Sequence, residues 1–152
     1  MTFSMSNPHR AWRLISIASR LCLDLGFNRL KENPDDPDLN EKKNCFWFCY
    51  TLDRALSLNF GRSPNIPDFD ITTPYPPIPD VAAGSSFGAK FFGLAFIWFD
   101  MSKIQSQIYE KLYSAKGELE DPQTRSQIAR QLAAELISLR HRCHVTIPFH
   151  HS

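Results

Sequence analysis

The residues of this chain whose types could do chemistry are few. Asp53 and Arg54 stand side by side inside an apolar run, and Cys45 and Cys49 lie one helical turn apart. Asp53 with Arg54 is the best acid–base candidate, although their apolar surroundings favour a structural ion pair. Cys45 and Cys49 could supply half of a metal site, but no second Cys or His pair has matching spacing.

Known catalytic motifs are missing around these residues. The sequence has no G-x-S-x-G elbow, no Gly-rich phosphate loop and no H-E-x-x-H. Its end carries four histidines that could bind a metal, although an exposed basic end is the plainer interpretation: His141, His144, His150 and His151. We therefore predict no catalytic, metal-binding or DNA-binding residues, and no enzyme activity.

Length and composition indicate a folded domain of ordinary size. The chain has 152 residues, of which 43% are hydrophobic and twelve are phenylalanine. Its net charge of +1 argues against an autonomous nucleic-acid binder. No secretory signal opens the chain, and the run Phe91–Phe99 is shorter than the roughly 20 residues that a membrane span needs. The cysteines all lie in or beside apolar patterns, which is typical of reduced core thiols in an intracellular protein: Cys22, Cys45, Cys49 and Cys143.

Two helices are predicted in the first half. The first starts at Pro8 behind a Ser6 or Asn7 cap and ends at Gly26. Its apolar residues form one wide stripe at positions 11, 14, 15, 18, 21, 22 and 25. The second runs from near Asn40 to about Asn59, and its first turns are apolar nearly all round. Gly61 closes it, and Arg62 is expected to donate to its last carbonyls or to pair with Asp53.

Two irregular segments follow these helices. Phe27 to Leu39 is predicted to be a mobile surface loop. Ser63 to Pro79, here called the strap, contains six prolines and should be extended. We expect it to cross the helices, although a polyproline ligand for another domain is an alternative. The residues expected to pin it are apolar: Ile66, Phe69, Ile71, Tyr75 and Ile78.

Two more helices are predicted in the second half. A third opens at Gly84-Ser85-Ser86 and runs to Ala115 or Lys116, with a first half that is aromatic on every side. A ligand pocket built on those rings is an alternative to core packing. The fourth begins at Asp121 with Pro122 and has an apolar edge of Ile128, Leu132, Leu136 and Leu139. The fold class is therefore all-α: an irregular multi-helix domain of about four main helices and the strap, within a larger helical domain.

Two motifs carry a resemblance to a known family. The first is Ala11-Trp12-Arg13-Leu14-Ile15 with Leu23-Asp24-Leu25-Gly26-Phe27-Asn28-Arg29, and the second is Phe46-Trp47 with Leu52-Asp53-Arg54 and Gly61-Arg62. In this order they resemble the middle homology region of fungal zinc-cluster transcription factors, also called the fungal-specific transcription factor domain. The clear match covers residues 11–76. Phe27-Asn28 stands where Leu-His is usual in the family, and Pro64 comes one place late.

The resemblance implies that residues 1–152 are a partial regulatory domain of a nuclear transcription factor. It implies contacts with other segments of that factor or with a partner subunit, and a small-molecule effector as a further ligand. The matching positions are a structural signature rather than a site: Trp12, Asp24, Gly26, Phe46, Trp47, Asp53, Arg54, Gly61 and Arg62. The family's zinc belongs to an N-terminal six-cysteine cluster that this sequence lacks, so we expect no cofactor and no direct DNA binding.

The resemblance also implies that the chain is a fragment, a shortened gene model or a naturally truncated relative. We expect apolar surface around Trp47, Tyr50, Phe92 and Phe96 that it cannot cover, and hence self-association. One alternative is a small helical ligand-binding protein or enzyme built around the third helix. Another is a truncated regulator that pairs with a full-length partner.

Overall fold

A computed structural model describes the backbone of residues 8–76 and 86–146, and the side chains of residues 9–76 and 95–142. The chain divides into two compact units, Met1–Pro76 and Pro77–Ser152. The first contains helices α1 (Pro8–Asp24) and α2 (Leu39–Phe60), and the second contains α3 (Ser86–Ile108) and α4 (Pro122–Thr146). The described residues include no strand, and the predicted all-α class is confirmed.

Helix α1 lies against α2 through a narrow face. Ile15, Ser19 and Cys22 are buried, and they recur at steps of four and three residues, as one side of a helix does. Gly26 ends the helical segment as predicted, because its φ of 72° is left-handed. The predicted cap at Ser6 or Asn7 lies outside the described residues.

Most of the predicted apolar stripe of α1 is exposed. Leu14, Ile17, Leu21 and Leu25 keep between 55% and 68% of their surface accessible. They follow one another along the helix at steps of three and four residues, so they form one continuous stripe. Leu14, Leu21 and Leu25 of the predicted stripe are therefore uncovered, because α2 covers only the neighbouring face. We call Leu14, Ile17, Leu21 and Leu25 the α1 stripe.

Helix α2 is the centre of the first unit. Its aromatic residues Phe46, Trp47 and Tyr50 are at most 3% exposed, and Trp47 meets the other two rings edge-on, with centroids 5.3 Å apart. Gly61 closes the helix as predicted, with a φ of 60° and its N–H directed at the oxygen of Leu58. The expected bare surface around Trp47 and Tyr50 is thus a wrong prediction, since both are buried. Phe92 lies outside the described side chains, and Phe96 is half-buried.

Two lysines of α2 tie down the connector before it. Lys42 Nζ lies 2.7 Å from Asp36 Oδ2, and Lys43 Nζ lies 2.6 Å from Glu32 Oε1. The Lys43 side chain is only 3% exposed, so its aliphatic stem adds to the core while its charge reaches the surface carboxylate.

In the second unit α3 ends earlier than predicted. It passes into a π-helical turn, Tyr109–Tyr113, and stops there instead of at Ala115 or Lys116. The N–H of Ser114 bonds to the oxygen of Tyr109, five residues back. Gly117 then approaches Lys111 so closely that a Cβ at position 117 would lie 2.6 Å from the Lys111 oxygen. The chain turns at this contact because only glycine fits there.

Helix α4 begins where the sequence predicts. The N–H groups of Gln123 and Thr124 donate to Asp121 Oδ1 at 2.9 and 3.0 Å, so Asp121 caps the helix. Ile104 of α3 packs with Leu132 and Leu139 of α4 to form the core of this unit. Among the described helices, none combines the length and apolar character needed to cross a bilayer.

Candidate functional site

The predicted charged pair of α2 is fully buried and holds the strap. Asp53 is 0% exposed, and its carboxylate accepts hydrogen bonds from the backbone N–H groups of Asn65 and Ile66, at 3.0 and 3.1 Å. The Asn65 side-chain amide adds a third, at 2.7 Å from Oδ1. Asp53 therefore satisfies backbone donors of a segment that has no regular structure of its own.

Arg54 holds the same segment with its positive charge. Its Nη1 lies 3.0 Å from Asp53 Oδ2, and its Nη2 donates to Asp68 Oδ1 at 2.9 Å and to the backbone oxygen of Ile66. The guanidinium carbon lies 4.4 Å from the centroid of the Tyr50 ring, whose hydroxyl donates to Asp68 Oδ1 at 2.7 Å. We call Tyr50, Asp53, Arg54, Asn65, Ile66 and Asp68 the clasp.

The electrostatics of the clasp shift the pKa values of two of its groups, Tyr50 and Arg54, upward. Burial by itself lowers the pKa of Arg54, but Tyr50 and Asp68 outweigh it and the net shift is upward. Burial raises the pKa of the Tyr50 hydroxyl well above its ordinary value of 10.0. A guanidinium and a phenol with raised pKa values do not exchange protons near neutral pH. Tyr50 and Arg54 are therefore suited to holding the strap and unsuited to acid–base work.

Arg62 is not part of the clasp, and both predicted roles for its side chain were wrong. Its guanidinium carbon lies 5.6 Å from the Trp12 ring centroid, and its Nη2 lies 3.5 Å from His9 Nδ1. Its backbone N–H, rather than its side chain, reaches back to the Ser57 oxygen at 2.9 Å. Gly61, in the left-handed conformation, ends α2 directly before Arg62, and the Arg62 side chain contacts residues of α1.

A second set of polar contacts joins the strap to the turn after α1. Asn28 is 2% exposed, and its side-chain amide donates to the backbone oxygen of Asp70 at 2.7 Å. Thr73 Oγ1 donates to the Phe27 oxygen at 2.6 Å and accepts from the Leu30 N–H at 2.8 Å. Sequence reasoning missed Asn28 and Thr73. Asn28 directly follows the Gly26 turn of the first motif, and that position was the only signal for its role.

The strap is held by polar contacts more than by the apolar anchors that were predicted. Ile66 is buried as expected, at 1% exposure, and Ile71 and Tyr75 are half-buried. Phe69 was predicted as an anchor but is 93% exposed. It lies in a 3-10 turn, Asp68–Asp70, where the two flanking aspartates take the inward contacts. Ile78 lies outside the described residues.

Trp47 completes the attachment of the strap. Its indole N–H donates to the Pro74 oxygen at 3.0 Å, and its ring meets that of Tyr75 at a centroid distance of 4.5 Å. Three of the predicted residues, all on α2, therefore bind the strap: Trp47, Asp53 and Arg54. Asp24 lies outside this set, exposed and paired with Arg20 at 3.2 Å.

The thiols of the first unit do not all lie in the core. Cys22 and Cys49 are buried as predicted, but Cys45 is exposed. Among the described residues, no three His, Cys, Asp or Glu side chains are arranged to hold a metal ion.

A recess in the second unit has little in common with the aromatic pocket considered from the sequence. The recess is lined by Arg142, Ile104 and four other charged or polar residues. Arg142 pairs with one of these four, Asp100, at 3.5 Å. Among the described rings, Phe99 is 1% exposed and packs edge-on with Phe96 at 5.8 Å, as core residues do. Phe87, Phe91 and Phe92 lie outside the described side chains.

Comparisons of this chain with family models and with individual proteins agree on one family. The family described as fungal specific transcription factor domain matches residues 2–140. The chain is 30% identical over 119 residues to an ABC-transporter-regulating transcription factor of Aspergillus fumigatus. The matched region covers 73% of this chain and 13% of that protein. It is 35% identical over 134 residues to pyrimidine pathway regulatory protein 1 of Saccharomyces cerevisiae, covering 77% of this chain and 15% of that protein. No solved structure gives a significant match.

Proposed function

This chain belongs to the fungal specific transcription factor domain family, and from that membership we propose that it is a non-catalytic regulatory module of a transcription factor. The relatives that it matches are named as transcriptional regulators. A ligand-binding protein or enzyme built around the third helix is not favoured by these comparisons. The proposal extends to nuclear localisation, because a regulator of transcription acts on chromatin.

The observation that carries the proposal is the clasp. Asp53 and Arg54 are the residues best suited to acid–base chemistry, and both are occupied by backbone groups of Asn65 and Ile66. Their buried charges hold the strap to α2, and Asn28 and Thr73 hold it to the turn after α1. Residues of both family motifs therefore hold the strap in place: Asn28 from the first motif, and Asp53 with Arg54 from the second.

We propose that the module acts through contacts with another segment of the same transcription factor. The chain spans about 13–15% of the length of the relatives named above, so most of such a protein lies outside the region of similarity. The α1 stripe supplies a surface for that contact, because its four residues are more than half exposed and contiguous. A partner subunit and a small-molecule effector are the other ligands that the proposal includes.

We further propose that this chain binds neither zinc nor DNA by itself. Its four cysteines are too few for a six-cysteine cluster, and its net charge is only +1. Titration of a labelled duplex at low salt, with and without a chelator, tests this, because phosphate contacts are strongest at low salt. Tight binding that disappears with the chelator would contradict it.

A reporter experiment tests the regulatory role. The chain is inserted between a heterologous DNA-binding domain and an activation domain, and reporter output is compared with that of a fusion carrying a Gly/Ser linker of equal length. We expect the chain to change the output, and Ile17→Gln with Leu21→Gln to reduce that change while leaving the protein level constant. Equal output from the chain and the linker would contradict the proposal.

A further inference from the structure

Two hydroxyl residues of the chain directly precede a proline, and both lie in the strap: Ser63 before Pro64, and Thr73 before Pro74. Proline-directed protein kinases select this dipeptide, because a proline in the second position has no N–H to leave unpaired in the substrate groove. A hydroxyl can accept a phosphoryl group only if it is accessible and not already committed to other bonds. The two residues differ in both respects.

Thr73 is closed to a kinase by its place in the fold. It is 3% exposed, and its hydroxyl donates to the Phe27 oxygen at 2.6 Å and accepts from the Leu30 N–H at 2.8 Å. A phosphoryl group on this oxygen would disrupt these bonds and bury a charge, which costs free energy. Thr73 is therefore an internal comparison for Ser63, with the same dipeptide pattern in the same segment.

Ser63 is open to a kinase. It is exposed, and its hydroxyl makes a long contact, 3.5 Å, with the oxygen of Pro64. Ser63 has no regular secondary structure, and Pro64 disfavours the helical conformation at the residue before it. The chain is fixed on either side, because the N–H of Arg62 bonds back to α2 and the N–H of Asn65 bonds to the clasp. Ser63 and Pro64 thus form an irregular bridge that presents a hydroxyl to solvent.

Arg62 supplies the positive charge that a phosphate on Ser63 needs. Its guanidinium carbon lies 5.6 Å from the Trp12 ring centroid, and among the described residues no carboxylate is paired with it. Arginine binds phosphate well, because two of its N–H groups can donate to two oxygens at once. The carbonyl end of α2 disfavours a nearby negative charge, and Arg62 offsets that effect.

We propose that Ser63 is a phosphorylation site for a proline-directed protein kinase, and that the phosphate pairs with Arg62. In the transfer, Ser63 Oγ forms a bond to the γ-phosphorus of ATP, the bond from that phosphorus to its bridging oxygen breaks, and ADP leaves. The hydroxyl proton passes to the catalytic aspartate of the kinase. The phosphate adds a charge of about −1.5 to −2 beside α1. The site follows from access and sequence, so it does not depend on the proposed regulatory role.

The test incubates the folded chain with Mg-ATP and a purified mitogen-activated protein kinase, and peptide mass spectrometry locates the phosphate. We expect phosphate on Ser63 and none on Thr73, whereas synthetic peptides of residues 58–68 and 68–76 should both be phosphorylated. Ser63→Ala and Pro64→Ala should each abolish the modification of the chain. Circular dichroism confirms that both variants keep their helices.

The unsubstituted chain decides the matter even if a variant does not fold. Absence of phosphate on Ser63, in the chain or in the 58–68 peptide, would overturn the proposal. Equal phosphorylation of Ser63 and Thr73 in the chain would overturn it too, because the kinase would then be acting on unfolded protein.

A phosphorus-31 NMR titration tests the pairing with Arg62. A nearby positive charge favours the doubly ionised phosphate, so we expect a lower second pKa for phosphoserine 63 in the unsubstituted chain than in Arg62→Gln. Arg62→Lys keeps the charge and should stay close to the unsubstituted chain. Equal pKa values for the unsubstituted chain and Arg62→Gln would overturn the pairing.

Discussion

Asp53 and Arg54, neighbours on α2, bind the two backbone polar groups of a single strap residue. Asp53 Oδ2 accepts the Ile66 N–H at 3.1 Å, and Arg54 Nη2 donates to the oxygen of the same residue. The two side chains also pair with each other at 3.0 Å, with exposures of 0% and 1%. A buried ion pair of this kind is stable only while both charges and their remaining hydrogen-bonding groups are matched.

The first prediction follows from that dependence. Asp53→Asn removes the negative charge and leaves Arg54 buried with Asp68 as its remaining carboxylate, so we expect the free energy of unfolding to fall by about 3–5 kcal/mol. Urea denaturation followed by circular dichroism measures it. Asp24→Asn is the matched control: it breaks the exposed Arg20–Asp24 pair and should cost less than about 1 kcal/mol. Equal midpoints for the two variants would mean that the clasp does not stabilise the fold.

The second prediction concerns Thr73, whose hydroxyl bridges the strap and the turn after α1. Thr73→Val keeps the shape but leaves the Phe27 oxygen and the Leu30 N–H without this partner, so we expect a loss of about 1–3 kcal/mol. Thr72→Val is the control, because Thr72 is exposed and contacts Asn28 only through its backbone N–H. Denaturant titration of both variants decides it. A Thr72→Val that destabilises as much as Thr73→Val would refute the bridging role.

The third prediction is a pH dependence from the α4 cap. Hydrogen bonds from the side chain and backbone of Thr124 hold the pKa of Asp121 below its ordinary value of 3.8. Because the folded pKa is the lower one, the stabilisation is present above pH 3.8 and is lost as pH falls through the folded value. Asp121→Asn keeps a capping side chain and removes this titration. We expect its unfolding midpoint to depend less on pH in this acid range than that of the unmodified chain.

Glu120→Gln serves as the control for that experiment, since Glu120 is exposed one residue before the cap. Its acid unfolding curve should follow that of the unmodified chain. A Glu120→Gln curve that matches Asp121→Asn would assign the pH dependence to general charge and not to the cap.

The fourth prediction is that the isolated chain associates through the α1 stripe. Burial of apolar surface contributes about 25 cal/mol per Å² to the free energy of association. The four residues of the stripe are more than half exposed. We expect light scattering to show species larger than 17.5 kDa, and Ile17→Gln with Leu21→Gln to shift them towards monomer. Arg13→Lys, an exposed change on the same helix, should have no effect. Monomer at all concentrations, without binding of a hydrophobic dye, would contradict this.

Local signals in the sequence were enough to place most helix ends. Gly26 and Gly61 end their helical segments because glycine adopts the left-handed conformation without strain, and Asp121 begins α4 because its carboxylate caps free N–H groups. The charged pair inside an apolar run also pointed to a buried Asp53 and Arg54. Each of these features depends on a few neighbouring residues, so the sequence alone is enough to predict it.

Only the tertiary structure decided which faces are covered and what holds the strap. The α1 stripe and the aromatic face of α2 look equally apolar in sequence, yet the aromatic face of α2 is buried while the α1 stripe is exposed. Asn28 and Thr73 lie 45 residues apart, yet the Thr73 N–H donates to the Asn28 oxygen at 3.1 Å. Such contacts depend on how distant segments pack, and helical periodicity reports only that a face is apolar, not what will cover it.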